Sequence, residues 1–208
     1  MIPFPRRGLY AITPDGPHPR GFLESSVEDA IEGGAVAIQY RDKSEDQPRR
    51  RAEASALREI CWRRQVPFIV NDDVALALVV GASGAHVGRD DAALDVARVR
   101  LGPDAIIGVS CYGSVERARE AARQGADYVA FGRFFPSSTK PGAVPCSWEV
   151  LEQARDAVSI PVVAIGGITP ENGAALLTAG ADVLAVIDGV FGRGDVHTAA
   201  AGFSGLFS

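Results

Sequence analysis

The stretch Gly180-Ala181-Asp182-Val183-Leu184-Ala185-Val186-Ile187-Asp188-Gly189 carries the pattern that decides the fold. A glycine stops one element, an apolar run follows, and the run ends in a polar residue and a second glycine. Glycine suits such a junction because the chain leaving a helix often needs a positive φ. The junction recurs as Gly34-Ala35, Gly84-Ala85 and Gly125-Ala126-Asp127. Each copy precedes every second member of a set of eight apolar runs: Leu9–Thr13, Val36–Arg41, Pro67–Asp72, Ala85–Gly88, Ala105–Ser110, Tyr128–Phe134, Pro161–Ile168 and Val183–Gly189. Runs apolar almost throughout are strands buried on both faces, as in a parallel sheet.

Segments of helical character separate the runs. Arg49–Arg64 has Ala52, Ala56 and Ile60 at helical spacing. Val74–Val80, Ala92–Leu101, Ser114–Arg123, Ser147–Ala157 and Pro170–Ala179 follow, with Ser114 and Thr169 placed as N-caps and Pro170 at the first helical position. Strand and helix alternate without a linker, which indicates α/β architecture. A two-strand unit used four times closes an eight-stranded barrel, so the expected fold is a single (β/α)8 TIM barrel over residues 1–208. The rival, an open doubly wound sheet, would carry G-x-G-x-x-G after its first strand, and that motif is missing there.

Composition excludes several classes. The 208 residues are 47% hydrophobic and 23% charged, the balance of a globular protein, and no apolar run approaches the roughly 20 residues that span a bilayer. Residues 1–7 lack the apolar core of a secretory signal. Cys61, Cys111 and Cys146 are odd in number and far apart, which suits a reducing cytoplasm. A net charge of −5 argues against nonspecific nucleic-acid binding, and three histidines are too few for a multi-histidine metal site. A homo-oligomer is compatible with the sequence.

In such a barrel the chemistry gathers at the C-terminal ends of the strands. Gln39-Tyr40-Arg41-Asp42-Lys43 ends the second strand, and alternation puts Gln39, Arg41 and Lys43 on one side. Two cations and an amide at the barrel mouth suit a polyanion such as diphosphate, although solvated charges at a strand end would look the same. Asp72 and Asp91 follow neighbouring strands and could share one Mg²⁺, while Asp73 and Asp90 are better placed as helix caps. Ser137-Ser138-Thr139-Lys140 offers hydroxyls, backbone N–H groups and a cation to a phosphate, or is a surface turn before Pro141-Gly142. Gly166-Gly167 admits close approach of a ligand beside the helix that starts at Pro170. His86, Trp62 and Trp148 read as packing residues, Arg49-Arg50-Arg51 as a solvated helix start, and Cys111 as lacking a base that would make it a nucleophile.

Taken in order, GLYAIT, QYRDK, VNDD, the G-x-x-D of Gly88–Asp91, GVS, FGRFFPSSTKPGA, AIGGITPEN and AGADVLAVI resemble the thiamine phosphate synthase family, proteobacterial branch, from about Gly8 to Phe191. The resemblance implies a Mg²⁺-dependent transferase that joins a hydroxymethylpyrimidine diphosphate to a thiazole phosphate, plain or carboxylated, by a dissociative displacement. It implies a pyrimidine diphosphate site at Gln39, Tyr40, Arg41, Asp42, Lys43, Asn71, Ser110 and Lys140, of which Arg41, Lys43, Ser110 and Lys140 are catalytic. It implies Mg²⁺ ligands at Asp72 and Asp91, and a thiazole phosphate site at Ser137, Ser138, Thr139, Gly167, Ile187 and Asp188. Three positions depart from the family's common pattern: Ser137 stands for Thr, Arg89 for Gln, and Asp188 for Ser. A carboxylate facing phosphate would repel it, so the Asp188 side chain is expected to turn away. Two other readings compete: a thiazole tautomerase, related but not coupling the rings, and a non-catalytic barrel that binds phosphorylated ligands.

Overall fold

Eight parallel strands close on themselves in sequence order, each hydrogen-bonded to the next and the last to the first. The structure is a computed structural model that describes residues 2–88, 94–137 and 144–207. The strands are β1 Gly8–Ile12, β2 Ala35–Tyr40, β3 Phe68–Asn71, β4 Gly84–Val87, β5 Ile106–Tyr112, β6 Tyr128–Phe131, β7 Val162–Ile165 and β8 Val183–Val186. The helices are α1 Phe22–Glu32, α2 Gln47–Arg63, α3 Val74–Val80, α4 Leu94–Leu101, α5 Val115–Arg123, α6 Glu149–Ala157, α7 Pro170–Thr178, α8 Asp188–Phe191 and α9 Val196–Ser204. This is the expected (β/α)8 TIM barrel.

Alternation along each strand splits the apolar residues into two cores. Tyr10, Ala37, Ile69, Ile106, Tyr128, Val163 and Val183 point inward and fill the barrel. Their neighbours Leu9, Ile38, Phe68, Ile107, Val129, Val162 and Leu184 point outward and bury the apolar faces of the helices. Phe4 lies against the inner set, stacked on the Tyr128 ring at 3.8 Å and edge-on to Tyr10 at 5.4 Å. Tyr128 has room because the inward residue facing it on β5 is Gly108, where a Cβ would lie 2.0 Å from the Tyr128 ring.

Three of the four Gly-Ala junctions work as expected: Gly34, Gly125 and Gly180 have φ of 100°, 86° and 114°. Gly84 differs. It lies inside β4, and a Cβ there would fall 1.7 Å from the Ile106 carbonyl oxygen, so close strand approach requires it. The left-handed stop before that strand is Gly81, with φ of 64°.

Ser114 caps α5, its Oγ accepting from Arg117 N–H at 3.2 Å, and Asp73 caps α3, accepting from Leu76 N–H at 2.8 Å. Helices α1, α8 and α9 were not among the expected segments. Helix α1 follows Gly21 and has no side-chain cap among the described residues. Its C-terminal end docks on α9, where Ser204 Oγ donates to the Gly33 carbonyl at 2.8 Å. The tryptophans are less buried than expected: Trp62 is 58% and Trp148 39% exposed.

Candidate active site

The inward positions near the C-terminal ends of β2 to β5 are polar. Gln39, Asn71, His86 and Ser110 line a cavity of about 330 Å³ together with Arg41, Lys43 and Asp72. The structure thus brings the expected diphosphate-binding cations into one chamber with the expected metal carboxylate. Thr13 sets the β2 end, since its Oγ accepts from Arg41 N–H at 2.9 Å. Arg41 is 8% exposed and pairs with Asp15, whose other oxygen accepts from Lys43 N–H at 3.2 Å. Lys43 pairs with Asp72, and Asn71 Nδ2 donates to the same Asp72 oxygen at 2.6 Å.

Asp72 holds a left-handed backbone, φ 61°, a conformation Asp tolerates better than most residues. The turn separates neighbours: Asp72 faces the cavity, while Asp73 faces α3 and binds Arg50 at 2.9 Å.

One hydrogen-bond chain crosses the barrel beneath the cavity. Gln39 Nε2 donates to Tyr10 Oη at 2.7 Å, the Tyr10 and Tyr128 hydroxyls are 2.8 Å apart, His86 Nδ1 lies 3.0 Å from Tyr128 Oη, and His86 Nε2 lies 2.8 Å from Ser110 Oγ. Burial pushes both phenols well above their ordinary pKa, so they stay protonated. His86 is buried, as expected of a packing residue, but its ring belongs to this chain and to the cavity wall. Strand alternation carries the missed signal: with Ala85 and Val87 packed outward, His86 must face inward.

The opposite side is built from glycine and backbone. A second cavity of about 530 Å³ is lined by Ser137, Gly166, Gly167, Thr169, Ile187, Asp188 and Arg193. Gly166 and Gly167 have φ of 106° and 65°, and Cβ atoms there would lie 2.3 Å from Arg133 Cβ and 2.2 Å from the Pro136 carbonyl oxygen. Asn172 secures the loop, accepting from Thr169 N–H at 2.8 Å and donating to the Gly167 carbonyl at 3.1 Å. Helix α7 begins at Pro170, directly after the Gly167–Thr169 part of this cavity's lining. Ser137, Gly166 and Ile187 line both cavities, which therefore adjoin. Arg133 borders the first cavity with a buried Nε that has no hydrogen-bond partner among the described residues.

Comparison with known proteins decides the family. The model of the family described as thiamine monophosphate synthase matches residues 9–190. The chain belongs to the thiamine monophosphate synthase family. The thiamine-phosphate synthase of Acidithiobacillus ferrooxidans (strain ATCC 53993 / BNL-5-31) is 53% identical over 204 residues, covering 97% of this chain and 94% of that protein. That of Thioalkalivibrio sulfidiphilus is 51% identical over 201 residues, covering 97% and 95%. Among solved structures, thiamine phosphate pyrophosphorylase from Pyrococcus furiosus superposes with a TM-score of 0.85 at 37% identity, covering 97% of this chain and 96% of that one. The match agrees with the resemblance read from the motifs, and with the reading of the chain as an enzyme, a transferase of thiamine biosynthesis.

Not every residue that resemblance to thiamine monophosphate synthases suggests reaches the cavities. Tyr40 and Asp42 point outward toward α2, because alternation that aims Gln39 and Arg41 inward turns their neighbours away. Tyr40 Oη donates to Glu53 at 2.7 Å, and Asp42 pairs with Arg49 at 2.7 Å. Burial opposes ionisation of Asp42, but hydrogen bonds from Ser44 and the Arg49 charge outweigh it and hold its pKa below the usual value. These two side chains brace the loop after β2. Arg49 and Arg50 are correspondingly not the solvated helix start expected of them, since both are engaged in ion pairs. Asp91, Ser138, Thr139 and Lys140 lie outside the described residues. Cys111 points away from the cavity, and burial pushes its thiol pKa up to about 12, in keeping with the absence of a nucleophilic role. Asp15 and Arg193 escaped the sequence reading, each lying in a loop with no periodic pattern to orient it.

Proposed function

We propose that the chain, a thiamine-phosphate synthase by family, joins a hydroxymethylpyrimidine diphosphate to a thiazole phosphate by a dissociative displacement. The methylene C–O bond breaks and its electron pair leaves with the diphosphate. The thiazole nitrogen then donates its lone pair to the pyrimidine-methyl cation, forming the C–N bond of thiamine phosphate. Where the thiazole carries a carboxylate, CO₂ departs and the ring carbon takes a proton. The observation that supports this reading is the division of the rim into a chamber of fixed cations and an adjoining glycine-built cavity at a helix N-terminus. Such chemistry needs charge stabilisation for a leaving group rather than a nucleophile and base.

Arg41 and Lys43 hold the diphosphate, exchanging their partners Asp15 and Asp72 for phosphate oxygens, and Lys140 adds charge from the loop after β6. Gln39, Asn71 and Ser110 orient the pyrimidine. Ser137, Ser138, Thr139, Gly167 and the backbone at Ile187 and Asp188 take the thiazole phosphate. Asp72 fits a hard cation, since an ammonium group already sits on its Oδ2 at the cavity edge. Asp72 and Asp91 would hold Mg²⁺, and two carboxylates completed by substrate phosphate and water are a common set for that ion. When bound, Mg²⁺ supplies positive charge to the departing diphosphate. Cys61, Cys111 and Cys146 are unpaired, which accords with a reducing cytoplasm, and no helix among the described residues is long and apolar enough to cross a membrane.

The test is a coupled assay with purified protein, both substrates and Mg²⁺. Thiamine phosphate and diphosphate are expected in equal amounts. Folded protein that yields neither refutes the reading, and isomerisation of the thiazole without coupling would identify a tautomerase instead.

A further inference from the structure

The hydrogen-bond chain under the cavity has a direction. Gln39 spends one amide N–H on Tyr10 Oη, at 2.7 Å, from within a site where Tyr10 is 1% and Gln39 3% exposed. Tyr10 therefore accepts at that contact and has one proton to place, and the Tyr128 hydroxyl 2.8 Å away receives it. Tyr128, now an acceptor, places its own proton on His86 Nδ1 at 3.0 Å. A histidine that accepts at Nδ1 carries its proton at Nε2. That proton points to Ser110 Oγ at 2.8 Å. A reversed chain would turn the buried N–H groups of Gln39 away from the Tyr10 hydroxyl.

The two ends of this chain are the cavity's own polar groups. Gln39 is left with its carbonyl oxygen available to a ligand as an acceptor. Ser110 accepts from His86 and is left with its O–H available as a donor. Backbone contacts hold the β5 end in place: Arg117 Nε donates to the Ser110 carbonyl at 2.8 Å and Arg117 Nη2 to the Gly88 carbonyl at 3.3 Å.

We propose that Tyr128 and His86 are positioning residues for the coupling reaction, acting through Gln39 and Ser110 to fix an acceptor on β2 and a donor on β5. This rests on the function proposed above and names what the polar wall reads. A flat heteroaromatic ring with an exocyclic amine beside a ring nitrogen matches the pair, the amine donating to Gln39 Oε1 and the ring nitrogen accepting from Ser110 Oγ. A ring with an oxo group and a protonated ring nitrogen presents the opposite pattern and is rejected at both contacts. Neither Tyr128 nor His86 need touch the reacting carbon. Tyr128 is 0% exposed, and its ring is held by Phe4 independently of its hydroxyl.

Tyr128→Phe tests this, because it removes one hydroxyl and keeps the ring stacked on Phe4. The readouts are KM for each substrate, and the ratio of kcat/KM for the 4-amino pyrimidine diphosphate to that for its 4-oxo analogue. The wild-type protein is expected to favour the amino substrate strongly. In Tyr128→Phe that ratio should fall about tenfold, the worth of one buried hydrogen bond with a mis-set partner, and KM for the pyrimidine diphosphate should rise while KM for the thiazole phosphate holds. His86→Gln, which keeps a donor toward Ser110, should retain more of the ratio than His86→Leu. Melting curves accompany each variant, and any that melts below the assay temperature is measured at a lower one. An unchanged ratio in active Tyr128→Phe and His86→Leu overturns the proposal, as does an equal rise in both KM values. A wild-type protein that makes no thiamine phosphate overturns the function itself, so the two failures are told apart.

Discussion

On the function proposed above, the two sides of the barrel mouth recognise anions by different means. On the β2–β5 side, side chains do the work: Arg41, Lys43, Asn71 and Asp72 stand over a buried relay of Tyr10, Tyr128 and His86. On the β6–β8 side the inward residues are Ala130, Val163, Ile165 and Ala185, and recognition would pass to the glycine backbone. A side-chain site can be emptied one group at a time with little effect on the fold. A backbone site cannot, because Gly166 and Gly167 are in contact distance of Arg133 and Pro136, and adding an atom moves the strand ends themselves. Variants on the first side should therefore lose activity while remaining stable, and variants on the second should lose both.

Asp72→Asn is expected to have the largest effect, lowering the rate of thiamine phosphate formation by about 10²–10³-fold, in line with several kcal/mol from metal-stabilised charge. A Mg²⁺ titration checks it: the variant should require much more Mg²⁺, at unchanged melting temperature. An unshifted Mg²⁺ dependence would remove Asp72 from the metal site. Arg41→Ala should come next. It raises KM for the pyrimidine diphosphate about tenfold to a hundredfold, the usual cost of losing a hydrogen bond to a charged group, and leaves KM for the thiazole phosphate alone. Asp15, which loses its partner, is 38% exposed and can return to water. Equal losses for the two substrates would erase the distinction between the sides.

How much of this was legible beforehand follows from the same contrast. The Gly-Ala junctions and the alternating strands specify the barrel because backbone geometry demands particular residues at particular spacings. Gln39, Arg41 and Lys43 were legible together because period-two spacing aims them at one place. That rule also sends Tyr40 and Asp42 outward to Glu53 and Arg49, so motif membership overstated their reach. His86 was hidden because one histidine in an apolar run looks like packing, and only its position between two outward residues reveals its direction. Asp15 was hidden for another reason: Pro14-Asp15-Gly16-Pro17 is a turn-forming string with no period, and its pairing with Arg41 exists only after β1 and β2 lie side by side.

Gly167→Ala tests the second side. With φ of 65° and a backbone oxygen 2.2 Å from the added Cβ, it should cost about 1–3 kcal/mol of stability from strain alone. Thermal melting should show that loss together with a higher KM for the thiazole phosphate. A variant that melts normally but binds thiazole phosphate poorly would mean that the loop can shift without disturbing β7.

The smallest effect is expected at Asp188, which begins α8 and lines the second cavity. A carboxylate near a phosphate repels it by about 1 kcal/mol at 4 Å in water-like surroundings. If the side chain turns away, Asp188→Ser gains less than that, and thiazole phosphate should bind no more than about fivefold tighter. Titration calorimetry at low and high salt separates the outcomes. A gain that disappears at high salt is direct repulsion, and it would make the second side partly a side-chain site after all. No gain would leave recognition there to the backbone of Gly166 and Gly167, as proposed.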